Sequence, residues 1–564
     1  MDRRAFVEAC SAAGLGSLWP GVLYAKATEA TTLTTTVIAE AEKLMGLTFT
    51  EEQRELMLED LQDRLATYER LRAKPIPNAV VPALRFDPMI GQPALAEAKI
   101  HRIMDWSAPS IERPASDEDL AFLPVTALAT LIRDRKVTAT ELTEVYLQRL
   151  KQYAPVLQAV VTLTEERARK QAAEADLEIA AGRYRGPLHG IPWGAKDLLS
   201  VKGYPTTWGA TPYREQVIDE DAEVVKRLDA AGAILVAKLT LGALAWGDVW
   251  FGGTTKNPWN TEQGSSGSSA GPGSAVAAGL VGFAIGSETL GSIVSPSTRN
   301  GVTGHRPTFG RVSRAGAMAL SWSMDKLGPM CRSAADCALV FDAIHGYDAG
   351  DPTTTSQSFA YPLPDIRDLR IGYYASAFEG DYNGHEHDQA VLDVLRGQGL
   401  TLTPVELPQD DRLGAMLLTL NAEAAAAFDD LTRSGGTDTM VRQIRNAWPN
   451  VFRHARFIPA VEYLQANRAR TELMEAMHAV LETVDVIVTP SFRGGALQIT
   501  NLTGHPCVVM PHAFVPLDGQ PDSPRRSPRS ISFIGGLHQD DAVLAVANTY
   551  QRATDFHRQR PPIH

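Results

Sequence analysis

Residues 264–279 read GSSGSSAGPGSAVAAG, a stretch in which no side chain is larger than valine. Apolar sequence surrounds it, so it is not a flexible linker. Small residues in such a setting let two pieces of backbone approach closely, and glycine frees φ where a turn demands it. A tight turn with close backbone packing is the plainest reading. A phosphate cradle is disfavoured, because neither G-x-x-x-x-G-K-[ST] nor a strand-borne G-x-G-x-x-G occurs. Gly267-Ser268-Ser269-Ala270-Gly271 does match the G-x-S-x-G nucleophile elbow, with Ser269 as its serine. That motif needs a strand directly before it, and Asn257 to Gly264 reads as loop.

The rest of the chain bounds what this segment can serve. The 564 residues are 44% hydrophobic and 21% charged, which fits a globular protein and excludes a collagen-like, coiled-coil or fully disordered chain. Lys+Arg number 54 and Asp+Glu 66, a net charge of −12. That balance argues against general nucleic-acid binding. Four cysteines, Cys10, Cys331, Cys337 and Cys507, cannot form a disulfide scaffold in a chain this long. Cys331 and Cys337 can pair in an oxidising compartment, but free core thiols are the simpler expectation. No run of about 18 apolar residues occurs, so no membrane insertion is expected.

The N-terminus reads as an address. Arg3-Arg4 and Phe6 precede a mildly apolar stretch from Ala9 to Leu23, and Ala25-Lys26-Ala27 fits a small-x-small cleavage site. This pattern is that of a twin-arginine export signal over 1–27, with a periplasmic or secreted mature protein. An ordinary first helix, and with it a cytoplasmic protein, is the alternative. Residues 28–118 read as a helical extension. Thr50-Glu51-Glu52-Gln53 is a capping box, followed by Leu58, Leu61, Leu65, Tyr68 and Leu71 at helical spacing, and the helix should stop before Pro75 and Pro77.

From about residue 119 the character changes. Thr138-Ala139-Thr140-Glu141 precedes a helical pattern through Leu142, Tyr146, Leu147 and Leu150, and Glu165 to Ala181 reads as another helix. Short β-like runs follow at His189–Trp193, Ala233–Ala237, Leu369–Tyr373 and Val484–Val488. Helical segments alternate with them, so residues 119–562 read as one large α/β domain.

Several blocks of this region, in order, resemble the amidase signature family. Gly264 to Thr308 resembles its Gly-Ser-Ser-Gly-Gly opening, Ala-rich helix, Gly-Thr-Asp-Thr-Gly-Gly-Ser-Ile turn and Gly-Leu-Lys-Pro-Thr close. His189 to Asp197 resembles its Gly-Ile-Pro-x-x-x-Lys-Asp segment, and Ser323 to Met330 its Ser-x-Asp-x-x-Gly-Pro-Met. Phe251 to Trp259, Asp485 to Pro490, Asn501 to Pro506 and the final helix to Pro562 match as well. The resemblance implies a large mixed β-sheet covered by α-helices. It implies amide hydrolysis through a Ser-cisSer-Lys arrangement, with a small-molecule amide as substrate and no metal or organic cofactor.

Carried over by motif, the nucleophile is Ser292 and the lysine Lys196. Ser265, Ser266, Ser268 and Ser269 compete for the bridging serine, and the family's spacing of 24 residues before the nucleophile selects Ser268. The turn Thr289, Leu290, Gly291 would supply N–H groups to an oxyanion. A serine hydroxyl attacks only when something takes its proton, and a lysine can take it only when neutral, which burial favours. The apolar neighbours Ile191, Pro192, Trp193, Leu198 and Leu199 suit that tuning. Taken alone, Lys196 would more simply be half of a structural ion pair. Three departures stand out: Leu290 replaces a Gly, Glu288 an Asp, and Val294 an Arg whose loss removes a hydrogen-bonding anchor.

Alternatives to a hydrolase acting alone are the glutamine-hydrolysing subunit of a tRNA-dependent amidotransferase, a non-catalytic binding protein on the same scaffold, and a hydrolase using Ser269. A homodimer is left open. His385-Glu386-His387-Asp388 has metal-ligand residue types, but i and i+2 do not share a helix face, so a solvated helix start is expected. Pro524 to Arg529 reads as an exposed basic loop.

Overall fold

The computed structural model describes residues 33–74, 76, 83–84, 103–104, 110–363, 365–517 and 519–563. The export pattern at 1–27 and Cys10 therefore lie outside the described residues. Two helices open the described chain, α1 (Thr35–Met45) and α2 (Glu51–Ala73). The Thr50 hydroxyl accepts the Gln53 N–H while the Gln53 side-chain oxygen accepts the Thr50 N–H, so the capping box closes on both sides. The helix ends at Lys74, as the prolines require. Its buried stripe is Met57, Leu61, Arg64, Tyr68 and Leu71, whereas Leu65 is exposed. The expected stripe was thus partly misplaced: alternate steps of four and three from Met57 bring Arg64, not Leu65, onto the inner face.

Eleven strands form the central sheet: β1 (Val160–Leu163), β2 (Pro192–Lys196), β3 (Ile234–Leu239), β4 (Phe283–Glu288), β5 (Thr303–Arg306), β6 (Lys326–Cys331), β7 (Ile371–Tyr374), β8 (Leu402–Val405), β9 (Val486–Pro490), β10 (Cys507–Pro516) and β11 (Arg526–Gly535). Their spatial order is β8-β7-β9-β11-β10-β5-β6-β4-β2-β3-β1. β2 runs parallel to both β3 and β4, and β7 parallel to β8 and β9. The block β9-β11-β10-β5-β6-β4 between them is antiparallel throughout. β2, β3, β4 and β6 are buried along their whole length, and β3, Ile-Leu-Val-Ala-Lys-Leu, accordingly reads as a nearly continuous apolar run rather than an alternating one.

Helices cover the sheet: α3 (Val125–Arg133), α4 (Ala139–Leu157), α5 (Glu165–Ala180), α6 (Ala270–Ala277), α7 (Val294–Asn300), α8 (Ala334–Ile344), α9 (His385–Gly397), α10 (Trp448–Ala455), α11 (Ala460–Leu481), α12 (Ala496–Thr503) and α13 (Asp540–Arg552). The fold is mixed α/β with a large mixed sheet. The Gly/Ser segment becomes the approach to α6, and all eight residues of that helix are buried. A Cβ on Gly271 would lie 2.5 Å from the Thr240 nitrogen and 2.6 Å from the Ala159 oxygen. Small residues are needed here because α6 lies directly on neighbouring backbone.

One expectation fails outright. The basic tract at Pro524 to Arg529 is not an exposed loop, because Arg526 to Arg529 open β11 and pair with Ala513 to Pro516 of β10. Arg526 and Arg529 stand three residues apart with Ser527 and Pro528 between them, so no two-residue period shows there. Cys331, Cys337 and Cys507 are free and buried. No helix among the described residues is long and apolar enough to cross a membrane.

Candidate active site

β2 carries Lys196 at its C-terminal end, between β3 and β4, with no solvent exposure. Ile191, Trp193, Leu198 and Leu199 around it are buried too. The Lys196 Nζ lies 2.8 Å from Ser268 Oγ, 3.0 Å from Ser269 Oγ and 2.8 Å from Ser287 Oγ, with the Ser287 carbonyl at 3.4 Å. Burial pushes its pKa well below the ordinary lysine value, against a smaller upward pull from Asp325 and Glu288. The ion pair expected as the simpler role belongs to the residues beside it: Asp197 and Lys238 meet at 2.7 Å, both fully buried.

Four serines competed for the bridging position, and the structure separates them. Ser265 bonds the Ser266 carbonyl, and Ser266 donates its N–H to Asp248. Neither contacts Lys196 in these bonds. Ser269, the N-cap residue of α6, is fully buried. Its hydroxyl donates to the Ser287 carbonyl and accepts the Ser287 N–H, each at 3.1 Å. Those bonds tie the Ser269 side chain to β4. The Gly267–Ser268 peptide bond is cis, and the Ser268 hydroxyl lies beside the lysine amine.

Ser292 sits half-buried in the turn between β4 and α7, and its carbonyl accepts the Ser269 N–H at 3.2 Å. In that turn Gly291 adopts a left-handed conformation with φ +86°, while φ at Leu290 is not positive. Leu290 is therefore tolerated where the family has Gly, because the next residue takes the unusual φ. The Thr289 hydroxyl donates to Asp325 at 2.6 Å.

Glu288, the last residue of β4, holds this turn from inside. Its Oε2 accepts the N–H groups of Ile293 and Val294 at 2.7 and 2.9 Å. Its Oε1 accepts from Arg306 and Asn501, both at 2.7 Å. Burial alone would raise its pKa, but Arg306 and these bonds outweigh it and hold the carboxyl at about 2. The anchor thought lost with Val294 is thus supplied by Arg306 of β5, at the Lys position of the family's closing block. Sequence reasoning missed this pairing, and it also missed Ser287, which no motif marks.

The family model for Amidase matches residues 141–514. The chain belongs to the amidase family. A glutamyl-tRNA(Gln) amidotransferase subunit from Chloroflexus aggregans is 34% identical, over 79% of this chain and 99% of that protein. Its counterpart from Roseiflexus sp. is 32% identical, over 76% and 96%. Among solved structures, native peptide amidase from Stenotrophomonas maltophilia superposes with a TM-score of 0.66 at 29% identity, covering 78% of this chain and 98% of that one. This amidase is accordingly an enzyme of amide C–N bonds.

A cavity of about 290 Å³ reaches the site at Ser287 and Thr289. Leu198, Met318, Leu320, Trp322 and Leu327 give it apolar walls, and Leu290 and Gly291 are not part of its lining. Its basic residues are engaged. Arg314 pairs with Asp351 at 2.9 Å, and Lys326 donates to the Met324 carbonyl. The cluster at His385 disperses in the fold: Asp388 lies 2.8 Å from His512 and accepts the Tyr382 hydroxyl, while His385 turns to Gln389. Among the described residues no group of three His, Cys, Asp or Glu is placed to hold a metal ion.

Proposed function

We propose that this amidase hydrolyses a carboxylic amide bearing an apolar substituent, through an acyl-enzyme on Ser292. The observation that carries this reading is the buried Lys196 amine, with serine oxygens rather than carboxylates at hydrogen-bond distance. A neutral amine there accepts the Ser268 proton, and Ser268 accepts that of Ser292, so the Ser292 oxygen attacks the carbonyl carbon as its O–H breaks. The carbonyl oxygen gains charge and meets N–H groups of the turn at Thr289, Leu290 and Gly291. The C–N bond then breaks, and the proton returns through Ser268 to the leaving nitrogen. Water, deprotonated by the same pair, releases the carboxylate.

The apolar cavity supports the substituent. A second reading, hydrolysis of glutamine within a tRNA-dependent amidotransferase, is favoured by the amidotransferase relatives, which match over nearly their whole length. Glutamine brings an α-carboxylate that needs a free cation, but in this cavity Arg314 is paired with Asp351 and burial pushes the Lys326 amine well below the ordinary lysine range, toward its neutral form. That difference favours the apolar amide.

Turnover of anilides or C-terminal peptide amides by the purified chain, with glutamine hydrolysis at least about a hundredfold weaker in kcat/KM, supports the first reading. Preferred glutamine hydrolysis, or recovery of activity only with co-purified partner chains, overturns it. Treatment with a fluorophosphonate should label Ser292, and Ser292→Ala should abolish both labelling and turnover. Label recovered on Ser269 would refute the assigned nucleophile.

A further inference from the structure

A second cavity, of about 540 Å³, lies away from the site. It opens around Arg332, which follows the C-terminal end of β6, whereas Lys326 begins that strand beside the first cavity. At 3.3 Å per residue the two ends are roughly 20 Å apart. Arg332, Arg552, Arg558, Arg560 and His557 line this cavity, and no carboxylate does. On a chain of net charge −12, such a concentration of guanidinium groups attracts anions locally.

The partners of these arginines leave their charge available. Arg332 donates to the carbonyls of Leu123, Val276 and Val281, all neutral acceptors. Arg558 lies 3.6 Å from Asp555, and Arg560 2.8 Å from Asp119, in exposed pairs. Exposed pairs of this kind are worth about 0–1 kcal/mol and exchange easily for a better acceptor. His557 Nδ1 is buried without a hydrogen-bond partner. Ser333 caps α8 at this cavity by accepting the Asp336 N–H, and Thr126 stands in the first turn of α3. Asp336 accepts the Thr126 N–H at 3.0 Å and is not part of the lining. Phe122, Leu123 and Pro124 form an apolar wall, with the Arg560 guanidinium 4.7 Å above the Phe122 ring.

We propose that this cavity binds a phosphate-bearing small molecule of nucleotide size. Its phosphate meets Arg552, Arg558 and His557, and its apolar part rests on Phe122 and Pro124. Phosphate fits better than a single carboxylate because its oxygens accept several forked guanidinium donors at once. The volume exceeds what an inorganic ion fills, which calls for the organic part. Arg332 is unsuitable for testing, since it holds the end of α6 at Val276.

The test is isothermal titration of the full chain at fixed ionic strength with adenosine monophosphate, inorganic phosphate and citrate. The expected result is one saturable adenosine monophosphate site with Kd below about 1 mM, and weaker phosphate binding that competes for it. The double variant Arg552→Gln/Arg558→Gln should weaken both at least about tenfold, with amide hydrolysis and thermal unfolding unchanged. Phe122→Ala should weaken adenosine monophosphate but not phosphate. Three results each overturn the proposal: no saturable binding up to about 10 mM, equal binding by the double variant, or citrate binding as tightly as adenosine monophosphate. Tight binding of single-stranded RNA with no response to the small anions overturns it as well, and marks the surface as one for a polyanion.

Discussion

Lys196 and Asp197 adjoin in sequence, yet their side chains meet different surroundings at the end of β2. Asp197 finds a buried cation in Lys238, while Lys196 finds three serine hydroxyls. Burial holds the Lys196 amine toward neutrality in the fold. The unfolded chain keeps that proton up to about pH 10.4. Between the folded and unfolded pKa values the unfolded state binds more protons, so this residue makes stability rise with pH. Lys196→Met removes that slope. Relative to wild type, the variant's gain should grow as pH falls below about 10 and vanish as pH approaches about 10 from below. Its turnover should fall by several orders of magnitude. Thermal unfolding across pH and a pH–rate profile check both, and retained turnover would sink the lysine's role as base.

Glu288 runs the other way. Its carboxyl, held at about 2, gives stability that is complete above about pH 4.5 and lost as pH falls through 2, roughly 3 kcal/mol by linkage. Glu288→Gln leaves Arg306 buried without its counter-charge, which costs about 3–5 kcal/mol, and loosens the turn that carries Ser292. Denaturant unfolding should show the stability loss, and kinetics a drop in kcat larger than any change in KM. Lys196 and Ser268 were legible in the sequence because motif and spacing mark them. The Glu288–Arg306–Asn501 cluster was not, because Asn501 lies 213 residues beyond Glu288 and only the sheet order brings α12 under the turn.

At the scale of elements, glycine content separates close packing from mere flexibility. Gly271 in α6 faces backbone within 2.6 Å of an added Cβ on two sides, and backbone cannot rotate away. Gly271→Ala should therefore push α6 off its neighbours and cost about 1–3 kcal/mol. It should lower kcat as well, since Ser268 and Ser269 lead into that helix. Gly397 ends α9 with nothing near its added Cβ and no positive φ. Gly397→Ala should stabilise by about 0.5–1 kcal/mol with kinetics unchanged. Denaturant midpoints and kcat for the pair check the contrast; equal effects at both sites would show that α6 does not rely on contact. The helix after Thr50 was readable from its capping box and the one after Thr138 from its apolar spacing, the Thr138 capping box itself emerging only in the fold. The strand at Arg526 was not, because Arg526-Ser527-Pro528-Arg529 reads as a polar, proline-bearing loop until β10 supplies its partner.

For the molecule as a whole, the question is what α1 and α2 do for a body whose family match begins at residue 141. Met57 and Leu61 pack with Ile38, Phe49 and Phe457, and Tyr68 and Leu71 join a second cluster with Met416 and Ala466. Arg445 adds ion pairs to Asp60 and Asp63 at 2.9 and 2.8 Å, which at an exposed site contribute little. The apolar contacts carry the attachment, at about 1.5–3 kcal/mol for each fully buried large side chain. The extension thus covers a face of α10 and α11 that belongs to the family body itself, while none of the hydrogen bonds at Lys196 comes from it. Met57→Asp/Leu61→Asp buries two charges in an apolar seam and should detach the helices. The expected outcome is a fall in thermal midpoint and new binding of a hydrophobic dye. For the fraction that stays folded, kcat/KM should lie within about threefold of wild type, because the altered residues act on stability rather than on the transition state. A collapse of kcat/KM at temperatures where the variant is fully folded would mean instead that α1 and α2 shape the amide site, and that the extension is part of the catalytic body.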